Sequence, residues 1–222
     1  MRNNMVEYKL KNANLQLLRL ELGEIGTNCY LVADRTNKEL AVIDPAGDFP
    51  VLWEAIEAVG YPVKYIINTH GHWDHIGANK ELHEKSGAPI LIHEKDADML
   101  KLGADRTFRV RFAPSEADRL LADGDELPFG AYKLRVLHTP GHTQGGVCIV
   151  LAGAAGDELV FAGDTLFQLS IGRTDLPGGD TDQLLESVRT KLFTLDEKLP
   201  VFPGHGPHTF IADEKQYNPF LR

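Results

Sequence analysis

The chain has 222 residues, 43% of them hydrophobic and 25% charged, which is enough apolar material for a sizeable core. Its formal net charge of −9 argues against a general nucleic-acid binder, which needs a basic footprint. No window approaches the ~18 apolar residues that span a bilayer, and no charged-then-apolar leader opens the chain, so a cytoplasmic protein without membrane or nucleic-acid partners is expected.

Residues 1–14 are polar and expected to be loosely held. Leu15–Leu22, Cys29–Ala33 and Leu40–Ile43 read as strands, the last two joined by a polar link of hairpin length. Asp48 is the expected N-cap of a helix in which Val51, Leu52, Ala55, Ile56 and Val59 recur at helical spacing and Gly60 follows. Val63–Ile67 is a buried strand. A helix from about Gly77 to Lys85, a strand Pro89–His93 and a helical segment Glu94–Leu102 come next. Residues 103–124 lack periodicity and read as an inserted loop or lid. Tyr132–His138, Val147–Leu151 and Leu159–Ala162 are further strands, with Tyr132, Lys133 and Arg135 expected on the surface. After an aperiodic stretch from Gly163 to Asp180, a helix Thr181–Phe193 with a Thr cap, a short strand Val201–Phe202 and a helix from Asp213 close the chain. Strands in clusters with helices between them suit a mixed sheet, or two sheets face to face, in one domain spanning residues 1–222. Cys29 and Cys148 sit in separate apolar runs and are expected to be buried free thiols in a reducing compartment.

The stretch Thr69-His70-Gly71-His72-Trp73-Asp74-His75 directly follows a strand and gathers three histidines and a carboxylate within six positions. Imidazole and carboxylate together suit zinc, iron and similar first-row metals. Three later strand ends carry further donors: His142 in Gly141-His142-Thr143-Gln144-Gly145-Gly146, Asp164 in Gly163-Asp164-Thr165, and His205 in Gly204-His205-Gly206. A glycine precedes each, which lets the backbone approach a crowded centre.

These motifs resemble those of the metallo-β-lactamase fold superfamily, and within it the glyoxalase II-like hydrolases. The resemblance runs from Thr27-Asn28-Cys29-Tyr30 to Asn218-Pro219-Phe220. It implies an α/β, four-layer αβ/βα sandwich: two mixed sheets face to face with helices on both outer faces. It also implies two divalent metal ions, with zinc expected and iron or manganese as alternatives. His70, His72 and His142 would hold one, Asp74, His75 and His205 the other, and Asp164 would bridge them. Two departures stand out. Classical glyoxalase II continues past its last histidine into a helical glutathione-binding domain, for which Gly206–Arg222 is too short. The run Ser170–Gly179 looks like that of short, single-domain bacterial relatives.

Two metals ~3.5–4 Å apart can share a water and lower its pKa toward neutrality, which supplies a hydroxide nucleophile. Asp164 would set their separation, and Asp74 is both a ligand and a candidate proton acceptor. A thiolate leaves with little help near its pKa of ~8.5, whereas an amine needs a placed acid, and none is evident. The expected activity is hydrolysis of a small thioester of the S-lactoylglutathione type, with lactone or ester hydrolysis second. An alternative from another class is a mono-iron persulfide dioxygenase, for which His70, His142 and Asp164 would form a two-His, one-carboxylate face. A third is a metal-binding module without catalysis. Arg173 is the candidate contact for a substrate anion, or else a salt-bridge partner. His83, His93 and His208 read as structural; His138 reads as a strand-end histidine or as support for a ligand. None of the four serines lies in a Gly-x-Ser-x-Gly turn.

Overall fold

In a computed structural model, which describes residues 5–153 and 158–222, the strands form two large mixed sheets. The first half of the chain runs β1 (Met5–Tyr8), β2 (Leu15–Leu22), β3 (Thr27–Asp34), β4 (Glu39–Ile43), α1 (Phe49–Val59) and β5 (Val63–Ile67). It continues with α2 (Trp73–Ile76), α3 (Asn79–Ser86), β6 (Ile90–His93), a 3-10 helix (Glu94–Lys101), β7 (Ala104–Asp105), β8 (Val110–Arg111) and β9 (Arg119–Leu121). The second half runs β10 (Glu126–Phe129), β11 (Tyr132–His138), β12 (Val147–Ala152), β13 (Leu159–Gly163), β14 (Leu166–Phe167), β15 (Ser170–Ile171), α4 (Thr181–Ser187), a π-helical turn (Val188–Leu192), β16 (Pro200–Pro203), β17 (Thr209–Phe210) and α5 (Ile211–Tyr217).

The first sheet has the order β1-β2-β3-β4-β5-β6-β9 and the second β10-β11-β12-β13-β16-β17. Pairing is antiparallel from β1 to β4 and parallel from β4 to β9. The second sheet is antiparallel except where β13 and β16 run parallel.

The central strands are buried on both faces, so they read as continuous apolar runs. Alternation assigns each residue to a layer. Tyr30 and Val32 of β3, with Ile149 and Leu151 of β12 and Phe161 of β13, fill the core between the sheets. Cys29, Leu31 and Ala33 point the other way, onto Leu52, Ala55 and Ile56 of α1 and Leu82 of α3. Cys148, Val150 and Val160 pack on Val188, Leu192 and Ile211 on the opposite outer face. Three apolar interfaces between four layers make the αβ/βα sandwich. No helix of the described residues is long and apolar enough to cross a membrane.

Several sequence expectations are corrected. Met5–Tyr8 pairs with β2 rather than hanging free, while residues 1–4 lie outside the described residues. Asp48 occupies the N-cap position but in a left-handed conformation (φ 45°) and makes no cap bond; its carboxylate accepts from the Gly23 N–H instead. The cap of α4 is Asp180, which accepts from Gln183 N–H, not Thr181. The helix expected from about Gly77 is α3, Asn79–Ser86, but a further short helix that the sequence reading lacks, α2, begins inside the histidine motif at Trp73. Tyr132 is buried, its hydroxyl reached by Asn12 from 120 residues away. The 103–124 segment contains a small hairpin, β7–β8, and the edge strand β9. The two cysteines are free and buried, as expected.

His93, at the end of β6, stacks on His138, at the end of β11, with ring centres 4.0 Å apart and planes 7° from parallel, so the pair joins the two sheets. Burial, and then the His138 ring, lower the His93 pKa from its ordinary value against the opposing pull of Glu94 and Asp96. The unfolded chain therefore takes up a proton near pH ~6.5 that the folded chain refuses. The stabilisation is complete above that pH and is lost as the pH falls below it. His93→Asn keeps an acceptor for the Lys95 N–H but removes the titration. Its melting temperature should fall less than that of the unsubstituted chain between about pH 7.5 and 5; equal slopes in thermal melts would contradict this.

Candidate metal centre

The donors converge at one end of the sandwich, where β5, β11, β13 and β16 all deliver a loop. His70 and His72 follow β5, and His142 sits in the turn between β11 and β12. Gly141 in that turn has φ 132°, and a Cβ there would collide with Leu184, so only glycine carries the chain past α4. Asp164 follows β13 and His205 follows β16.

Two donor sets result. His142 Nε2 lies 2.9 Å from His72 Nδ1 and 3.3 Å from His70 Nε2. Asp74 Oδ2 lies 3.3 Å from His75 Nε2 and 3.2 Å from His205 Nε2. Asp164 stands between the sets, its Oδ2 3.5 Å from His142 Nε2 and 3.7 Å from His205 Nε2, its Oδ1 3.4 Å from His75 Nε2. Within each of three triads the donor atoms lie within 4.8 Å of one another: His70, His72 and His142; His70, His75 and Asp164; Asp74, His75 and His205.

The outer hydrogen bonds settle which imidazole nitrogens face inward. A carbonyl can only accept, so the 2.7 Å bond from His142 Nδ1 to the Arg173 oxygen puts the proton on Nδ1 and leaves the Nε2 lone pair toward the centre. Asp44 does the same for His75, accepting from Nδ1 at 2.9 Å. Thr69 Oγ1 donates its own proton to Asp44 at 2.6 Å and so accepts from His70 Nδ1 at 3.2 Å.

Electrostatics agree. Burial, and then neighbouring imidazoles, keep His70 and His72 neutral, the His72 pKa being lowered to about 4. Burial also opposes charge on His75, but Asp74, Asp164 and Asp44 outweigh it and raise its pKa well above the usual range, a pull of surplus carboxylate for positive charge at Nε2 that either a proton or a metal ion would answer. Burial would raise Asp74 and Asp164, yet the facing histidines, His75 foremost, hold both below the ordinary carboxylate value. His75 Nε2 and Asp164 Oδ1 are buried without a hydrogen-bond partner. Convergent lone pairs, surplus carboxylate and two orphaned polar atoms fit first-row divalent ions.

Asp44, Asp96, Thr27 and Asn28 escape the sequence reading. Each is buried and acts through distant hydrogen bonds, so none carries a local signature beyond its place at a strand end or in a short helix. Of the remaining histidines, His83 donates from Nδ1 to the Ala88 carbonyl, His138 Nε2 to that of Gln144, and His208 packs on Tyr8 and Phe202.

A cavity of about 440 Å³ opens onto the donors. His72, Asp74, His142, Asp164 and His205 form its floor, and Ile25, Trp73, Phe108, Phe167, Ile171 and Leu176 its apolar walls. Phe108 belongs to the loop of the β7–β8 hairpin, 6.2 Å from the Trp73 ring. Arg173 also lines the cavity, with its guanidinium 5.9 Å over the Phe108 ring and forked onto Asp175 at 2.7 and 2.8 Å.

The family model of the metallo-beta-lactamase superfamily matches residues 22–205. "Hydroxyacylglutathione hydrolase GloC" of Haemophilus influenzae is 37% identical over 201 residues, covering 87% of this chain and 92% of its own. A structure described as BLEG-1 B3 metallo-beta-lactamase superposes with TM-score 0.84 at 36% identity, over 91% of this chain and 98% of that one. A second, TTHA1623 in a di-iron-bound form, gives 0.80 at 34% identity, over 91% and 99%.

Asp44→Asn places an amide where two donors converge and removes the acceptor of His75. Metal affinity in chelator titrations should drop about 10–100-fold, while His83→Ala should leave it unchanged; a large loss with His83→Ala would contradict the donor set.

Proposed function

The chain belongs to the metallo-beta-lactamase superfamily, and on that premise we propose that it is a two-metal hydrolase that cleaves small thioesters. His70, His72 and His142 would hold one ion, Asp74, His75 and His205 the other, and Asp164 would face both. When bound, such ions supply an activated water and polarise a substrate carbonyl. The chain's own residues do the rest. Asp44, Thr69 and the Arg173 carbonyl hold the imidazoles with lone pairs inward. Asp74, oriented by Thr27 Oγ1 at 2.9 Å, would accept the proton released by the attacking water. The walls of Trp73, Phe108 and Phe167 keep bulk water from the reacting carbonyl.

One observation carries the choice of thioester: Arg173 is the only titratable residue lining the cavity outside the donor set, among the described residues. Arginine stays charged and is a poor proton donor, so an amine leaving group finds no dedicated acid while a thiolate needs none. The similarity to GloC supports the same substrate class.

The runner-up is mono-iron oxygen chemistry on a persulfide, favoured by the two-His, one-carboxylate face in which His142 Nε2 stands 3.3 Å from His70 Nε2 and 3.5 Å from Asp164 Oδ2. Metal analysis of the purified protein, with assays of S-lactoylglutathione, a simple lactone and glutathione persulfide, separates the two. The expected result is close to two ions per chain and fastest turnover of the thioester. A single iron with oxygen uptake on the persulfide would overturn it. Asp164→Ala should lower thioester turnover by at least about 100-fold and reduce metal content, with circular dichroism unchanged; full activity would refute the bridging role.

A further inference from the structure

Each donor set is assembled across the two sheets. His70 and His72 come from the first half and His142 from the second; Asp74 and His75 come from the first and His205 from the second. Something must hold each crossing in register, and the two crossings are held by different residues.

At the first, Asp96 projects from the 3-10 helix after β6 and is 1% exposed. Its Oδ2 accepts from the N–H of Gly71, between His70 and His72, at 3.0 Å. The same oxygen accepts from Thr143 Oγ1, beside His142, at 2.7 Å, and Oδ1 accepts from Gly145 N–H at 2.7 Å. A Cβ at Gly145 would stand 2.6 Å from the Asp96 carboxyl carbon, so that glycine lets the turn close on the carboxylate. Both loops of the first donor set thus end on one buried carboxylate, supported by the Val147 N–H to Thr69 carbonyl bond at 2.8 Å.

At the second, Asn28 at the start of β3 grips the His205 turn. Its backbone N–H donates to the Gly204 carbonyl at 2.7 Å, and its Nδ2 to those of Pro203 and Gly206, both at 2.9 Å. Among the described residues, Asp96 makes no bond to the His205 turn and Asn28 makes none to the His142 turn.

We propose that Asp96 and Asn28 are separate positioning residues, Asp96 setting the affinity of the His70–His72–His142 site and Asn28 that of the Asp74–His75–His205 site. This rests on the two-metal reading. Charge-assisted bonds to a buried carboxylate are strong, and moving a ligand loop by a fraction of an ångström is enough to weaken a metal site.

The test is zinc affinity by competition with a chromophoric chelator, in backgrounds that leave one site at a time. With His205→Ala, which breaks the second site, adding Asp96→Ala should weaken the remaining zinc by at least about tenfold. With His142→Ala, which breaks the first, Asp96→Ala should leave the remaining zinc unchanged, which also shows that the variant folds. Asn28→Ala should give the mirror pattern. Thr143→Val keeps the carboxylate but removes one of its three bonds; it should weaken only the first site, and Thr143→Ser should restore it. Equal weakening of both sites by Asp96→Ala, or none at either, would overturn the assignment. If the unsubstituted chain binds a single zinc, the two-metal reading fails instead.

Discussion

Burying ionised groups is costly unless each is paired, and this chain buries several at one place. Asp44, Asp74 and His75, with Asp164 nearly buried beside them, lie together at the end of the inter-sheet core. Desolvation opposes charge on Asp74, Asp164 and His75, and their mutual attraction keeps Asp74 and Asp164 ionised. The strand ends place these groups and the outer hydrogen bonds orient them. The surplus of carboxylate around His75 calls for a cation, so the fold and the chemistry share one electrostatic requirement.

The rest of the centre follows from where the sheets stop. Parallel pairs β4–β5 and β13–β16 end side by side, so their following loops meet over the core. A glycine comes before His142, Asp164 and His205 because the backbone must pass close to other side chains. At Gly204 a Cβ would collide with Asp164 and press on His75. The cavity above is mostly apolar, and Arg173, which lines it, is already forked onto Asp175, whose side chain is 69% exposed. A substrate anion would compete with that carboxylate for Arg173.

The donors were legible because metal ligation needs particular residue types, and a strand end with glycine beside them is a local pattern. The layers were legible because strands buried on both faces cannot hide their apolar runs. What stayed hidden acts through space. Asp96 reaches Gly145 from 49 positions away, and Asn28 reaches Pro203 from 175; neither shows a partner in its own neighbourhood. Asp48 looked like a helix cap, but its carboxylate is drawn to Gly23 by tertiary packing. Met5–Tyr8 was hidden among polar neighbours, and as an edge strand exposed along most of its length it has no buried face to set an alternating pattern.

X-ray absorption on the zinc-loaded protein tests the central claim most directly. Two ions held from both sheets, with Asp164 between them, predict a metal–metal vector of about 3.5–4 Å that disappears in Asp164→Ala. A zinc environment without any metal–metal vector at full loading, or a vector unchanged in that variant, would contradict it.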